Sequence, residues 1–183
     1  TSSASLHLGS VSINLPRLAF ESNKDETYFR ARLALLMKPA LTSMALRKKS
    51  ISDLVRLGIN PVLADSTQYM QRSSVSLIVN LTGLHNAVYG PLGFKDDKNG
   101  KEISYKVIQT AVDVASKKAK ELSVNSMISI TDSDGSDRFV SLDEEKYGKD
   151  SILQITDDET YSQGITLDGG TMTELTAKST EIV

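Results

Sequence analysis

Residues 74–90 read SVSLIVNLTGLHNAVYG, and this stretch indicates the fold class of the chain. Residues 74–81 are apolar and rich in β-branched side chains, which predicts a strand buried within a sheet. Thr82 and Gly83 predict a turn, and the residues after them predict a short helix that ends at Gly90. A buried strand that turns directly into a helix is typical of α/β proteins with parallel strands.

Two further strands are predicted on either side of this unit. Residues 10–15 alternate between polar and apolar side chains, and Pro16 should end that strand or confine it to a sheet edge. Residues 127–131 predict a third, short strand. We therefore expect an α/β fold, a partial sheet with helices packed on one face. Because three strands cannot close a barrel, apolar surface should remain for further neighbours.

A long helical pattern separates the first two strands. Asn23 and Glu26 have the spacing of a capping box, which predicts a helix start. An apolar stripe at steps of three and four residues then covers residues 29–44. Pro39 lies inside the stripe, so we expect a kink or two shorter helices. Residues 52–57 predict a second short helix.

The second half of the chain contains two more predicted helices. Residues 94–101 are polar and predict a surface loop, and residues 103–122 predict a helix of about five turns. Residues 137–147 predict another helix, whose inward side chains should be Phe139, Val140 and Leu142.

The chain as a whole, residues 1–183, is expected to be a single segment of one domain. Residues 1–8 should form a flexible N-terminal segment, and residues 9–166 the core. Residues 167–183 should form a weakly structured tail, because they are rich in Thr and Gly.

Composition excludes several classes of function. The 21 basic and 23 acidic residues are well mixed, so no basic patch indicates a nucleic-acid or membrane partner. The chain has no cysteine, which removes disulfides and thiolate chemistry, and its two histidines, His7 and His85, are too far apart in sequence to suggest a metal site. Because the sequence shows neither a signal peptide nor an apolar run of membrane-spanning length, we expect a cytoplasmic protein.

A row of polar residues marks the first candidate site. Ser10, Ser12 and Asn14 point to one face of the first predicted strand. In a solvated sheet this row would be only the wet face. In a parallel α/β array both faces are usually covered, and the row would then line a cavity in which Asn14 could contribute hydrogen bonds.

The second candidate site is the TDSDGS loop, residues 131–136, which joins the third strand to the last long helix. Ligands of α/β proteins often bind at such a junction, and free N–H groups at a helix start suit a phosphate. Thr131, Gly135 and Ser136 are therefore candidate substrate contacts, together with Ser12. The alternative is that Asp132 and Asp134 simply cap the helix.

Five blocks of the sequence, in order, resemble the anaerobic class III ribonucleotide reductases, which use a glycyl radical. SVSINLPRLAFESN (residues 10–23) resembles the strand that follows the finger loop in that family, and LALLMKPAL (residues 33–41) resembles its next helix. SVSLIVNLTGLHNAV resembles a later strand-turn-helix, and SDRFVSLDEEKYG (residues 136–148) resembles the D-R-F…D…(Y/F)-G signature. YSQGITLD, from Tyr161, resembles a tyrosine-led strand downstream.

This resemblance implies a ten-stranded α/β barrel in which the glycyl radical oxidises a finger-loop cysteine to a thiyl radical. The thiyl radical abstracts the 3′ hydrogen of a ribonucleoside triphosphate, the 2′ hydroxyl leaves as water, and formate or a thiol system supplies the electrons. The family's asparagine within N-L-P-R corresponds to Asn14, which makes Asn14 the candidate catalytic residue. The family's phosphate-holding loop corresponds to residues 131–136, although its acidic residues depart from the T-P-A-E form of some members.

The resemblance also implies partners and groups outside these residues. The catalytic cysteine should precede Thr1, and the glycyl-radical loop and zinc-binding cysteines should follow Val183. Nucleotide effectors, an activase with an iron–sulfur cluster, the rest of the parent chain and a second copy in a homodimer are the expected partners besides the ribonucleotide. No cofactor is expected in this segment itself, and the isolated segment should be inactive.

Other functions are also compatible with the pattern. The chain could be another glycyl-radical enzyme that acts on a non-nucleotide, a stand-alone α/β module that binds a phosphorylated metabolite, or a structural fragment that associates through its apolar edges.

Overall fold

The computed structural model describes residues 7–59, 76–95, 97–130, 135–156 and 160–161. The strands in these residues are β1 (His7–Asn14), β2 (Ser76–Thr82) and β3 (Asn125–Ser129). The helices are α1 (Leu15–Glu21), α2 (Glu26–Arg56), α3 (Leu84–Tyr89), α4 (Asp97–Leu122), α5 (Ser136–Tyr147) and α6 (Lys149–Leu153).

The sheet is parallel and its strands lie in the order β1-β2-β3. Successive parallel strands in sequence order require crossovers of the same hand, so the long helices α2 and α4 lie on the same face and contact each other. The α/β prediction, with a partial parallel sheet and helices packed against it, is confirmed. The third strand begins two residues earlier than predicted.

The register gives the sheet two different faces. Ile13 pairs with Leu81, and both belong to the hydrophobic core together with Phe29 of α2 and Val107 of α4. Residues paired across parallel strands point to the same side, so this face is the one covered by helices. The opposite face carries a polar row in which Asn80 pairs with a serine on either side, Ser12 and Ser129.

Helix α1 was not predicted. The first strand ends at Asn14, so Leu15 is not a strand residue as predicted but the first residue of α1. Pro16 lies in the first turn of this helix, where no N–H partner is needed. The helix is capped by the Asn14 side chain, whose Oδ1 accepts a hydrogen bond from the Arg17 N–H at 3.0 Å. Asn14 thus belongs to the strand and also starts the helix.

Helix α2 corrects three predictions. Its N-cap is Asp25, whose side chain accepts from the Tyr28 N–H at 2.9 Å, whereas Asn23 has a φ of 50° and lies before the helix. Pro39 does not divide the helix, and residues 52–57 are not a separate helix but overlap its end. Pro39 is on the exposed side, where solvent can satisfy the carbonyl that its ring leaves without a donor, while the buried side holds the helix together.

Two predictions for the second half of the chain also differ from the structure, namely the start of α4 and the inward side chains of α5. The predicted loop at 94–101 is shorter, because α4 already begins at Asp97. In α5, Val140 is buried as predicted and Phe139 packs against the second hydrophobic cluster, but Leu142 is 39% exposed. Asp143 is the inward residue of that turn and is fully buried.

The core includes strands and helices throughout the described residues, which is compatible with one segment of one domain. The proposed tail at 167–183 lies outside those residues, as do residues 1–6 of the N-terminal segment. No helix in the described ranges combines the length and the apolar character that a bilayer crossing requires.

Candidate functional site

Asn14 lies at the carboxyl edge of the sheet, where it is the last residue of β1 and pairs with Thr82, the last residue of β2. The helices α1 and α3 begin at this edge, within two residues of the strand ends. Ligands of open parallel α/β sheets bind outside the carboxyl ends of the strands. Asn14 therefore lies at the edge where ligands of this class of fold bind, which makes it a candidate site residue.

Both ends of the Asn14 amide are engaged. Its Oδ1 accepts from the Arg17 N–H, and its Nδ2 donates to Asp143 Oδ2 at 2.7 Å. Asp143 is on α5, 129 residues further along the chain. The predicted catalytic residue is thus tied to the last long helix by a side-chain hydrogen bond.

Asp143 accepts hydrogen bonds from three side chains in two parts of the chain. Besides Asn14, the Arg17 Nε donates to Asp143 Oδ1 at 2.6 Å, and the Tyr161 hydroxyl donates to Oδ2 at 2.8 Å. Arg17 also donates through Nη2 to the Leu142 carbonyl at 2.9 Å. A buried carboxylate is costly unless it is paired and hydrogen-bonded, and here the pairing is complete. We refer to Asn14, Arg17, Asp143 and Tyr161 as the Asp143 cluster.

Tyr161 is held at both its backbone and its side chain. Burial, and then the hydrogen bond to Asp143, raise the pKa of Tyr161 well above its usual value, so the phenol stays protonated and acts as a donor. Its backbone N–H donates to Ser136 Oγ at 2.8 Å, and Ser136 Oγ donates to the Tyr161 carbonyl at 3.0 Å. Ser136, the first residue of α5, therefore fixes Tyr161 in this structure.

A second link joins α1 to α5 at the surface. Lys146 donates to Glu21 at 2.7 Å, and Arg32 of α2 contacts the same carboxylate at 3.1 Å. The hydrogen bond from Lys146, ahead of that from Arg32, lowers the pKa of Glu21. Such exposed pairs contribute little stability, so the buried Asp143 cluster is the stronger connection between the two helices.

The remaining predicted site residues are only partly near Asn14. Ser12 lies two residues before it on the same face of β1 and is half-buried. Gly135 is the N-cap of α5, next to Ser136, with a φ of −109°. Thr131 lies outside the described residues, as do Asp132 and Asp134 of the alternative capping hypothesis. The structure thus brings Asn14 and Ser136 into one network through Asp143 and Tyr161.

Three residues of the network had no assigned role in the sequence analysis, namely Arg17, Asp143 and Tyr161. Asp143 follows Val140 by three residues and therefore shares its helix face. A carboxylate within an apolar helical face is a signal of a buried polar contact, and it could have been read from the sequence. The identity of its partners could not, since they come from distant segments.

Asn80 is a further polar residue of interest on the face away from the long helices. It is 4% exposed, and its Nδ2 makes only a long hydrogen bond of 3.4 Å to Thr82. Its Oδ1 has no hydrogen-bond partner within the part of the chain that the structure describes. The described ranges contain no cluster of three His, Cys, Asp or Glu side chains that could hold a metal ion.

The sequence matches one protein family along almost its whole length. The family model described as "Anaerobic ribonucleoside-triphosphate reductase" matches residues 2–179. A curated protein of that name from Haemophilus influenzae is 28% identical over 180 residues, covering 88% of this chain and 25% of its own length. The chain therefore spans about a quarter of this relative.

Solved structures show the same fold. The anaerobic ribonucleotide reductase from Thermotoga maritima with dATP bound in the specificity site superposes with a TM-score of 0.72 at 17% identity, over 94% of this chain and 31% of that one. The same enzyme with citrate in the active site gives 0.74 at 17% identity, over 94% and 33%. Since the family model covers nearly all of the sequence, the chain belongs to the anaerobic ribonucleoside-triphosphate reductase family.

Proposed function

We propose that this chain is the part of an anaerobic ribonucleotide reductase that carries Asn14 into the active site. The parent enzyme reduces ribonucleoside triphosphates to deoxyribonucleotides by radical chemistry, for use in DNA replication, and the isolated chain is inactive. The observation that carries the proposal is the placement of Asn14 at the carboxyl edge of a parallel sheet, with its amide held by the Asp143 cluster.

The proposal assigns the radical chemistry to other parts of the parent. The finger-loop cysteine and the zinc-binding cysteines lie outside these residues, because the chain contains no cysteine. The glycyl radical is assigned to the rest of the parent, since the chain covers a quarter of its relative. Nucleotide effectors, an iron–sulfur activase and a second subunit belong to the same proposal, as does a cytoplasmic location. The three strands would be neighbouring strands of the ten-stranded barrel, continued at β1 and β3.

Substrate contacts are proposed at two places. Ser12 shares the strand face of Asn14 and could bind a ribose hydroxyl. Residues Thr131, Gly135 and Ser136 could hold the phosphates, because backbone N–H groups at the start of α5 suit anions. Ser136 would have to do so while its hydroxyl holds Tyr161.

The alternatives are less well supported. A stand-alone binding module does not account for a match along residues 2–179 to a reductase family, and neither does a glycyl-radical enzyme for another substrate class. Nucleotide reduction by the parent is the activity that distinguishes these alternatives.

Replacement of Asn14 tests the proposal. We expect Asn14→Ala, in the complete reductase that carries this segment, to lower ribonucleotide turnover at least about tenfold, since one lost hydrogen bond at a reacting centre often costs a few kcal/mol. Asn14→Ser is the matched variant, because serine can still cap α1 but has no amide. Formation of deoxyribonucleotide by the anaerobically activated enzyme is the measurement. Unchanged turnover in Asn14→Ser would remove Asn14 from the mechanism.

A further inference from the structure

We propose that Asn14 presents an N–H donor to the substrate, and that Asp143 is the positioning residue that fixes the orientation of this N–H. The inference rests on the proposed function, since it concerns how Asn14 meets a ribonucleotide. It concerns Asp143, a residue that does not itself need to touch the substrate.

The first step is the orientation of the Asn14 amide. Its oxygen faces the Arg17 N–H at 3.0 Å, and its nitrogen faces an oxygen of Asp143 at 2.7 Å. Rotating the amide by half a turn would set oxygen against carboxylate oxygen and an NH₂ group against an N–H. A carboxylate can only accept and a backbone N–H can only donate, so one orientation is allowed.

The second step is the rigidity of Asp143. Its side chain is fully buried, and the same two oxygens also accept from Arg17 and Tyr161. Turning the carboxylate away from Asn14 would break these hydrogen bonds inside the protein, where unmade bonds are expensive. Arg17 lies on α1, three residues after Asn14, and its Nε donates to Asp143. This bond therefore fixes the carboxylate and α1 relative to each other.

The third step is what remains available on Asn14. Its Oδ1 accepts the Arg17 N–H with one of its two lone pairs, and one of the two N–H bonds of Nδ2 donates to Asp143. Among the described residues no other hydrogen bond of this side chain is present, and Asn14 is partly exposed. The second N–H is therefore the donor that Asn14 can offer to a ligand, and its partner would be an acceptor oxygen, such as that of a ribose hydroxyl.

The test exchanges the two side chains. In the doubly substituted Asn14→Asp, Asp143→Asn protein, the amide at 143 can donate to the carboxylate at 14, and aspartate still caps α1. The total charge of the cluster is unchanged. Position 14 then offers only acceptor oxygens. The hydrogen bond between positions 14 and 143 is kept, while the N–H donor at position 14 is lost.

Two readouts in the complete reductase separate the claims. Amide hydrogen exchange in residues 15–21 and 136–147 reports the connection. We expect each single variant to raise the exchange rate about tenfold, because it sets like groups against each other, and the exchanged pair to restore it. Ribonucleotide turnover reports the presence of the N–H donor at position 14. We expect the turnover of the doubly substituted protein to stay about 100-fold below that of the wild type, although its amide hydrogen-exchange rate recovers.

Three other outcomes would each overturn a different part of the proposal. Wild-type turnover in the exchanged pair would overturn the donor role while leaving the proposed function intact. Exchange rates that add up across the two substitutions, without recovery, would overturn the positioning role of Asp143. An activated wild-type protein that reduces no ribonucleotide would overturn the proposed function and this inference with it.

Discussion

Replacement of Asp143 by alanine is expected to destabilise the chain by about 3 kcal/mol, since it removes the buried carboxylate of an ion pair whose Arg17 side chain is 32% exposed, and two further hydrogen bonds with it. The loss of the carboxylate would leave the Arg17 guanidinium, the Asn14 amide and the Tyr161 hydroxyl without their common acceptor. The contact between α1 and α5 would weaken, because these three groups would lose their shared hydrogen-bond acceptor. The free energy of unfolding would therefore fall.

Urea denaturation of the purified chain, followed by circular dichroism, measures this effect. Glu145→Ala is the control, because it removes a carboxylate from the exposed side of the same helix and should cost less than about 0.5 kcal/mol. A loss below about 1 kcal/mol for Asp143→Ala would show that the cluster contributes little to holding the helices together.

A second large effect is expected for Gly83→Ala. Gly83 has a φ of +72°, and a β-carbon at this position would lie 2.8 Å from Cδ and Cγ of Pro16 and 3.1 Å from Cβ of Tyr161. The left-handed backbone alone costs an alanine about 1 kcal/mol, and the contact with a rigid proline ring adds about 2 kcal/mol. We expect a total loss near 3 kcal/mol in the free energy of unfolding.

Gly58→Ala separates the two causes. Gly58 has nearly the same φ, +69°, but among the described residues no atom lies within 4 Å of the place that a β-carbon would take. Its substitution should therefore cost only the backbone contribution of about 1 kcal/mol. Equal losses at both glycines, measured by the same denaturation, would mean that β2, α1 and Tyr161 do not approach as closely as the structure shows.

The layout of strands and long helices could be predicted because it depends on local patterns. The β-branched run in residues 76–82 and the apolar spacing in residues 103–122 each match one type of element. The parallel order of the strands followed from their alternation with helices. Predictions that depend on repeating hydrophobicity were therefore largely confirmed.

Errors occurred where one residue serves two elements or where solvent decides the outcome. Asn14 ends a strand and caps a helix, and its strand pattern concealed α1. The alternative of two shorter helices at Pro39 is wrong, because the exposed position of the proline lets α2 continue across it. Neither circumstance can be recognised from the spacing of apolar residues.

The candidate site was predictable in part. Resemblance to a family gave Asn14, and the helix face of Val140 could have drawn attention to Asp143. The bond between Asn14 and Asp143 joins residues 129 apart in sequence, so it depends on how α5 packs against α1. Contacts of that kind follow from the tertiary fold, and no local pattern contains them.

Sequencing the reading frame on both sides of this chain tests the central claim most directly. If the chain is a segment of an anaerobic reductase, a cysteine will lie shortly before Thr1, and paired cysteines with a glycyl-radical loop will follow Val183. A start codon next to Thr1 and a stop codon directly after Val183 would instead define a free-standing protein without a thiol. The radical mechanism and the proposed role of Asn14 would then have to be abandoned.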